Sequence, residues 1–303
     1  MSNGRYVVVK GRFGMGGRIA VMLSAYRYAL EADRELIVDW NDYAYYSPGV
    51  GDVFQNLFEW PPVSATPLMS LRGATVFPEE WQGKLDDYRN DPHAEIMPYA
   101  LSFAVPPRVA QPIAADVVVV TRNAKDHRIR GFYPQLRPYR SVRQLIDTHQ
   151  ARFDFTTAIG VQIRHGNGER LLTPPRTDWF HERIAELQAR APERGVFLAT
   201  DSPAVVEEFG ARYRNFYHTE KWYPPIGSGS MHQNADCPDR FQNGVEALVD
   251  IFLLARCSSL LVCSGFFGKT ARFISGIDDA AVQKFPDKIH PTQADKAGWD
   301  NPI

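Results

Sequence analysis

The feature that most constrains the fold of this chain is an alternation of short apolar runs with segments of helical periodicity. A β-rich run at 6–10 meets a glycine turn, and apolar residues then recur at helical spacing before a second run at 36–39. Further apolar runs are typical of buried strands. They lie at 116–121, 158–164, 195–200, 215–218 and 259–263. Strands that alternate with helices predict an α/β fold with mainly parallel sheets and ligands at the carboxyl ends of the strands.

The alternation is more regular in the second half of the chain, and 303 residues suffice for two lobes. We therefore predict one lobe at 1–140 and a second, more regular lobe at 141–303. Prolines and aromatic residues at 40–115 predict short elements and long loops, and the polar tail after 277 predicts a loop. Helices are predicted at 142–153, 178–191, 203–213, 244–257 and from 268.

Composition limits the classes of partner and of compartment. The formal net charge is −1, so no overall positive field would draw the protein to nucleic acid or to an anionic membrane. The three cysteines show no Cys-x-x-Cys pair, which argues against a structural zinc site and fits reduced thiols in a cytoplasm. The stretch 245–263 carries Glu246, Asp250 and Arg256, so it is too polar to span a bilayer. We expect a cytoplasmic protein, and the sequence does not predict its oligomeric state.

The most informative string is Ile-Gly-Val-Gln-Ile-Arg-His-Gly-Asn-Gly-Glu at 159–169, where a strand ends in Arg164 and His165 beside a glycine loop. An arginine at the carboxyl end of a strand, next to flexible N–H groups, suits a diphosphate, because its planar fork matches phosphate oxygens. An ion pair between Arg164 and a nearby carboxylate explains the same pattern.

Three other strings place polar groups where they could meet a ligand. One strand leads to Asp201 and Ser202 at a helix start, which also fits an ordinary helix cap. Asp250 stands inside an apolar helix, where a carboxylate needs a partner such as the N–H edge of a purine or a buried arginine. The turn Ser264-Gly265-Phe266, with Lys269, offers N–H groups, a hydroxyl and an ammonium that could hold phosphate.

The first glycine turn allows a different enzyme class. Gly14 and Gly16 after a strand, followed by Asp39, imitate a dinucleotide-binding fingerprint and would indicate a nicotinamide-dependent oxidoreductase. Ile19, however, stands where that fingerprint has its third small residue, and its bulk hinders close packing of helix on strand. Arg18 in the same turn also suits a phosphate. A non-catalytic nucleotide- or sugar-binding protein is a third alternative.

The four strings together resemble the donor-binding lobe of the NodZ-type α1,6-fucosyltransferase family. The matching segments are Gln-Ile-Arg-His-Gly-Asn-Gly-Glu at 162–169, Ala-Thr-Asp-Ser at 199–202, and the stretch from Asp250 to Ser264. In the first half, the glycine turn at 11–17, Ala-Tyr-Arg-Tyr-Ala at 25–29 and Ile-Val-Asp-Trp at 37–40 are similar to the opening of that family. Animal members have a second arginine in place of His165 and a second aspartate in place of Ser202.

The resemblance implies a GT-B-like enzyme with two Rossmann-like lobes. The first, at 1–140, would be the acceptor-side lobe, and the second, at 141–303, would bind the nucleotide-sugar donor. It would transfer fucose from GDP-β-L-fucose to a saccharide hydroxyl with inversion and without a metal ion, to a chitooligosaccharide-like or other GlcNAc-containing acceptor. Arg164 would contact the β-phosphate and Asp250 the guanine. The loop of Gly14, Gly16 and Gly17 would approach the diphosphate.

Inversion needs a base that takes the proton of the acceptor hydroxyl. His165 and Glu169 are both candidates, and the sequence does not decide between them. His232 lies in a glycine- and serine-rich loop that could line the donor cleft. No Asp-x-Asp signature follows a strand, since Asp201 is followed by Ser and Pro, and we therefore expect no metal ligands.

Overall fold

The computed structural model describes residues 4–11, 13–42, 44–86, 103–104, 113–122, 127–167 and 174–286. The chain forms two compact units. The first comprises Met1–Val142 with Asp239–Val245, and the second comprises Arg143–Pro238 with Glu246–Ile303.

The first unit is built on a parallel sheet with the strand order β2-β1-β4-β3. The strands are β1 (Tyr6–Lys10), β2 (Glu35–Asp39), β3 (Val76–Phe77) and β4 (Val117–Val120). The helices are α1 (Met15–Glu31) and the short α2 (Val53–Leu57), with 3₁₀ turns at Leu68–Leu71, Glu79–Trp81 and His127–Gln135. The stretch 40–86 accordingly contains only short elements, as its proline and aromatic content predicts.

Helix α1 is buried almost around its whole circumference, although it follows directly on a strand. It packs against β1 and β2, and its small residues Gly16, Gly17 and Ala20 allow that close approach. A Cβ on Gly17 would meet the Cβ of Phe13 at 2.6 Å. The packing of this turn on itself therefore requires a glycine at position 17.

The second unit contains a five-stranded parallel sheet with the order β7-β6-β5-β8-β9. The strands are β5 (Ile159–Ile163), β6 (Val196–Thr200), β7 (Phe216–His218), β8 (Ser259–Val262) and β9 (Val282–Lys284). The helices are α3 (Arg140–Gln150), α4 (Thr177–Arg190), α5 (Pro203–Arg212), α6 (Arg240–Leu254) and α7 (Phe266–Ser275). Helix α3 begins in the first unit, and the first residues of α6 also belong to it.

The central strand β5 is buried on both faces, which is why it reads as a continuous apolar run. Ile159, Val161 and Ile163 pack with Phe180 of α4 and Phe209 of α5 in one apolar cluster. The alternate residues face the other side, where a Cβ on Gly160 would lie 2.8 Å from Leu260. The strand is held by apolar contacts on both faces up to Ile163. Arg164 is therefore the first residue of the loop that follows it.

Several predicted boundaries were wrong. The tail was predicted to be a loop, but Val282–Lys284 forms edge strand β9 beside β8. This strand has three residues, none of them fully buried, so it leaves no apolar pattern. Helix α6 begins at Arg240, before the predicted 244, because the Asp239 carboxylate accepts the Gln242 N–H at 3.0 Å and so caps the helix.

Helices α3 and α7 also begin two residues earlier than predicted, at Arg140 and Phe266. None of the three cysteines forms a disulfide. Cys257 and Cys263 are buried and Cys237 is half-buried. Burial raises the pKa of the Cys257 thiol, and it raises that of Cys263 to about 12. Among the described helices, none combines the length and the apolar character that a bilayer crossing requires.

Candidate active site

The strand order of the second sheet reverses beside its central strand. The chain runs from β5 outward through β6 to β7 and then returns to β8 on the other side of β5. Ligands of open α/β sheets bind at such a reversal of strand order, outside the carboxyl ends of the strands. Arg164 directly follows β5, and Cys263 and Ser264 directly follow β8.

Arg164 is fixed at this edge by Asp201, which follows the neighbouring strand β6. One Asp201 oxygen accepts from Nη1 of Arg164 at 2.6 Å and from the Gly166 N–H at 3.0 Å. The other oxygen accepts from the His165 N–H at 2.6 Å. The side chain of Arg164 stays 21% exposed, whereas that of Asp201 is 9% exposed. The carboxylate therefore shapes the loop and presents the guanidinium at the end of the sheet.

A second set of bonds joins this loop to a segment before α6. Asn167 is buried and has a left-handed backbone with φ 46°. Its amide nitrogen donates to the carbonyl oxygens of Pro225 at 2.9 Å and of Gly229 at 3.3 Å. Its own carbonyl oxygen accepts the Gly229 N–H at 3.1 Å. Asn167 thus holds the arginine loop against the segment 224–229, which leads to His232 in the 3₁₀ turn Met231–Gln233.

Asp250 lies in a buried ion pair rather than alone in its helix. Its two oxygens accept from the Thr219 hydroxyl, at 2.6 Å, and from the ammonium of Lys221. The Lys221 and Asp250 side chains are 6% and 2% exposed. Burial acts to lower the pKa of Lys221, but Asp250 and Tyr223 outweigh it and the pKa is raised. The partner is therefore the lysine Lys221, and not the arginine that the sequence suggested as the alternative to a purine.

The turn between β8 and α7 resembles a phosphate-binding turn in its geometry. Gly265 has φ 131°, which favours glycine, and it lies immediately before the first turn of α7. The Ser264 hydroxyl oxygen is buried and has no hydrogen-bond partner among the described residues. Phe266 is 39% exposed. N–H groups at the start of a helix attract an anion, so this turn can hold a phosphate.

In the first unit, the buried guanidinium of Arg18 is hydrogen-bonded to the glycine turn. Gly14 lies immediately before α1, and the next N–H, that of Met15, donates to the Tyr45 hydroxyl at 2.9 Å. Arg18 donates to the carbonyl of Phe13 at 2.6 Å and is ion-paired with Asp42 at 2.9 Å. The Arg18 side chain is 1% exposed. Contact between Arg18 and a phosphate would therefore require the Arg18–Asp42 pair to open.

Asp39, the expected ribose-binding acid of the dinucleotide alternative, is also occupied. It lies 2.6 Å from the ammonium of Lys10, and both side chains are 4% exposed. The small residue of that fingerprint is replaced by Ile19, which is fully buried. The first unit thus has a parallel sheet, but the acid that the fingerprint assigns to the ribose is paired with Lys10.

The structure brings some predicted residues together. Arg164, His165 and Asp201 form one hydrogen-bonded group, and Ser202 follows Asp201 at the start of α5 without a side-chain capping bond. Asp201 and Asp250 both act electrostatically on Lys221, which connects the two clusters. Glu169 lies outside the described residues. Within the residues that the structure does describe, no group of three His, Cys, Asp or Glu side chains is arranged to hold a metal ion.

Known proteins similar to this chain identify its family. The chain matches the family NodZ, "Nodulation protein Z (NodZ)", over residues 3–275. It is 30% identical over 284 residues to Nodulation protein Z of Azorhizobium caulinodans, which covers 85% of each chain. The chain belongs to the NodZ family. The resemblance predicted from the sequence is therefore confirmed.

Solved structures agree with this membership at the level of the fold. The crystal structure of fucosyltransferase NodZ from Bradyrhizobium superposes with a TM-score of 0.61 at 20% identity and covers 95% of this chain and 97% of that one. The NodZ α1,6-fucosyltransferase soaked with GDP-fucose gives 0.58, with 89% and 92% covered. The predicted GT-B-like α/β class with parallel sheets is confirmed.

Sequence analysis assigned no individual role to four polar residues of this NodZ-family chain, two of which stand in its most informative string. They are Gln162, Asn167, Thr219 and Lys221. Asn167 and Lys221 sit in polar loops, where nothing in the residue pattern separates them from solvated neighbours. Gln162 could have been found, because it interrupts an apolar strand. It is 6% exposed, and its Oε1 would lie 3.1 Å from a Cβ on Gly268 of α7.

Proposed function

We propose that this protein is an inverting fucosyltransferase that moves fucose from GDP-β-L-fucose to a hydroxyl of a saccharide acceptor, such as a chitooligosaccharide or another GlcNAc-containing glycan. The observation that carries the proposal is Arg164, held by Asp201 at the strand-order reversal of a NodZ-family fold. The relatives named above include a NodZ α1,6-fucosyltransferase soaked with GDP-fucose.

The chemistry requires one bond to form as another breaks. The acceptor oxygen attacks the anomeric carbon of fucose while the bond from that carbon to the β-phosphate oxygen breaks, which inverts the configuration. The electron pair stays on GDP, and the acceptor proton passes to a base. Negative charge grows on the β-phosphate, and a guanidinium fixed in advance stabilises that charge without reorganisation. Arg164 has this preorganised position, and the Ser264 hydroxyl with the N–H groups of the α7 turn would assist it.

The base is proposed to come from the loop that follows Arg164. His165 begins this loop, and the Nδ1 atom of its ring is buried without a hydrogen-bond partner in the described part of the chain. Glu169 remains the second candidate. Gly14, Gly16 and Gly17, together with His232, are proposed to contact the donor through N–H groups and the imidazole.

Asp250 is proposed to recognise guanine, because a carboxylate can accept from both N1–H and the exocyclic amine of that base. Thr219 and Lys221 each use one lone pair of its oxygens and leave others for the base. Since its side chain is 2% exposed, contact with a base requires the Thr219–Lys221 segment to move. The same pair could serve stability alone, and the two roles are separated by a paired substitution described below.

We propose that the reaction needs no metal ion and takes place in the cytoplasm. Arg164 and the α7 turn supply the positive potential that a divalent ion would otherwise provide at the diphosphate. Three cysteines without a disulfide support a reducing compartment. Fucose transfer should survive an excess of chelator, measured as GDP release with and without EDTA. Loss of activity that manganese or magnesium restores would contradict metal independence.

The function is tested by incubating the protein with a panel of nucleotide sugars and a chitin tetrasaccharide, and by measuring the nucleoside diphosphate released. GDP-fucose should be consumed, and the saccharide should gain the mass of one fucose. UDP-sugars should not react. Binding of GDP without turnover of any donor would favour the non-catalytic alternative. A rise in melting temperature with NADH but not with GDP would favour the oxidoreductase.

A further inference from the structure

A cavity of about 350 Å³ lies in the second unit, near the carboxyl ends of β5 and β6. It is bordered by the start of α4, the first turns of α5 and His165, the residue that follows Arg164. Its volume lies in the range of small-molecule sites in proteins. The cavity is therefore next to the proposed reaction centre and large enough for a ligand.

The lining of the cavity selects the class of ligand. The charged lining residues are two carboxylates, Asp178 and Glu208, and one guanidinium, Arg176, which lies 3.5 Å from Asp178. Lining groups with an excess of negative charge disfavour a phosphate and favour a neutral ligand rich in hydroxyl donors. Pro175 and Val205 supply an apolar wall. An apolar surface opposite carboxylates matches a sugar ring, which has a C–H face and a rim of hydroxyl groups.

Glu208 is held in place by a buried histidine. The Nε2 atom of His181 lies 2.7 Å from Oε1 of Glu208, and the Nδ1 atom lies 2.7 Å from the hydroxyl of Tyr213. Burial raises the pKa of Tyr213 to about 12, so the hydroxyl keeps its proton and can donate it to Nδ1. That bond fixes the tautomer in which Nε2–H donates to Glu208. Glu208 is thus oriented before any ligand arrives, although its side chain is 41% exposed.

We propose that this cavity binds one sugar ring of the saccharide acceptor, with Glu208 and Asp178 accepting hydrogen bonds from its hydroxyl groups. The inference rests on the proposed function, because it supplies the acceptor side of that reaction. His165 lines the cavity and directly follows Arg164, so a ring bound there would lie beside the loop that holds the donor diphosphate.

The test compares Glu208→Gln and Asp178→Asn with Glu207→Gln, a control on the same exposed helix that removes one charge outside the cavity. The probe is a chitin tetrasaccharide. Both cavity variants should raise its KM about tenfold or more, since each weakens a bond to a charged acceptor. The KM for GDP-fucose, and the slow release of GDP without acceptor, should stay unchanged. Ala204→Trp, which fills the cavity, should act in the same direction.

Direct binding of the tetrasaccharide in the presence of GDP, measured by NMR, tests the acceptor site independently of whether the protein transfers fucose. Binding that the cavity variants weaken supports the site even if the wild-type protein transfers no fucose, which would overturn the function alone. Three results would overturn the site. They are unchanged KM and binding in both cavity variants, an equal loss in Glu207→Gln, and a parallel rise in the KM for GDP-fucose. Melting curves identify a variant that merely unfolds. If Glu208→Gln unfolds, Asp178→Asn decides, because the two ring nitrogens of His181 are bonded to Tyr213 and Glu208 and not to Asp178.

Discussion

Arg164 is at once part of an ion pair and a surface residue, and this combination determines what its substitution should do. Asp201 fixes one end of the guanidinium, while 21% of the side chain is exposed. The sequence could not separate a phosphate contact from an ion pair with a carboxylate, because both explain an arginine after a strand. The structure contains the ion pair, and in it the carboxylate also organises the loop.

Removing the guanidinium should therefore affect turnover more than donor binding. We expect Arg164→Ala to lower kcat by about 100-fold or more, since a charge-assisted bond that strengthens in the transition state is lost. Arg164→Lys keeps the positive charge but loses the planar pair of N–H donors, so its kcat should also stay well below that of the wild type. Steady-state kinetics with GDP-fucose and a GDP titration measure both effects. Arg190→Ala, at the exposed end of α4, is the control, and near wild-type turnover in Arg164→Ala would place the reaction centre elsewhere.

The Lys221–Asp250 pair calls for a substitution that separates base recognition from stability. Asp250→Asn alone leaves a buried ammonium without its anion, which should cost about 3–5 kcal/mol of unfolding free energy. Adding Lys221→Met removes that charge and should restore the melting temperature. If Asp250 recognises guanine, the double variant should still bind GDP about tenfold more weakly than the wild type. Wild-type affinity for GDP in a folded double variant would show that the pair serves stability alone.

In the second unit, the side chain of Asn167 ties the loop that follows Arg164 to the segment 224–229, so we expect the two to move together. Asn167→Asp keeps the size of the side chain and its tolerance of a left-handed backbone. In the wild-type protein the amide nitrogen of Asn167 donates to two carbonyl oxygens, and in the variant a carboxylate oxygen would face them instead. Such buried, unsatisfied acceptors cost about 1–3 kcal/mol. We expect a lower melting temperature and a fall of about tenfold in kcat, because the Arg164 loop loses its support.

Asn215→Asp is a matched control, since Asn215 also donates to a main-chain carbonyl, at 3.1 Å, but lies at the amino ends of the strands. It should leave kcat unchanged. Asn167→Gly tests the same idea without adding a charge, because glycine adopts the left-handed conformation and only the side-chain bonds are lost. Full activity in both Asn167 variants would mean that the loop needs no such anchor.

Strands and helices with a clear pattern of apolar residues could be predicted from the sequence. Elements that form only because a neighbouring element pairs with them could not. Strands β5, β6 and β8 are buried on both faces, so their apolar runs are visible in the sequence. Strand β9 is defined by its pairing with the edge of β8, and its own residues show no pattern of apolar side chains that predicts a strand. The same limit applies to the site. Arg164 and Asp201 follow predictable strands, whereas Lys221 finds Asp250 across 29 residues of chain.

At the scale of the whole molecule, His149 links stability to pH. Its imidazole is half-buried and bonded to the Tyr217 hydroxyl at 2.8 Å. Burial lowers its pKa below 6.5, with Asp250 raising it and Arg152 lowering it. The unfolded chain therefore binds the proton more tightly than the folded protein does. This contribution to stability is complete above pH 6.5 and is lost as the pH falls below it.

His149→Gln should remove this dependence. The melting temperature of the wild-type protein should fall more steeply than that of the variant between pH 7 and pH 5, so the two curves approach each other at low pH. Differential scanning calorimetry at half-unit steps of pH measures the difference. Parallel curves would show that His149 does not couple folding to protonation.

The distribution of the cysteines gives the protein a natural position for a spectroscopic label. Cys257 and Cys263 are buried, and their raised pKa values keep both thiols protonated near neutral pH, so alkylating dyes should react with Cys237 alone. Cys237 lies between the 3₁₀ turn that carries His232 and the start of α6. A single environment-sensitive fluorophore there, attached to the wild-type sequence, would report movements of this segment as nucleotide binds and leaves.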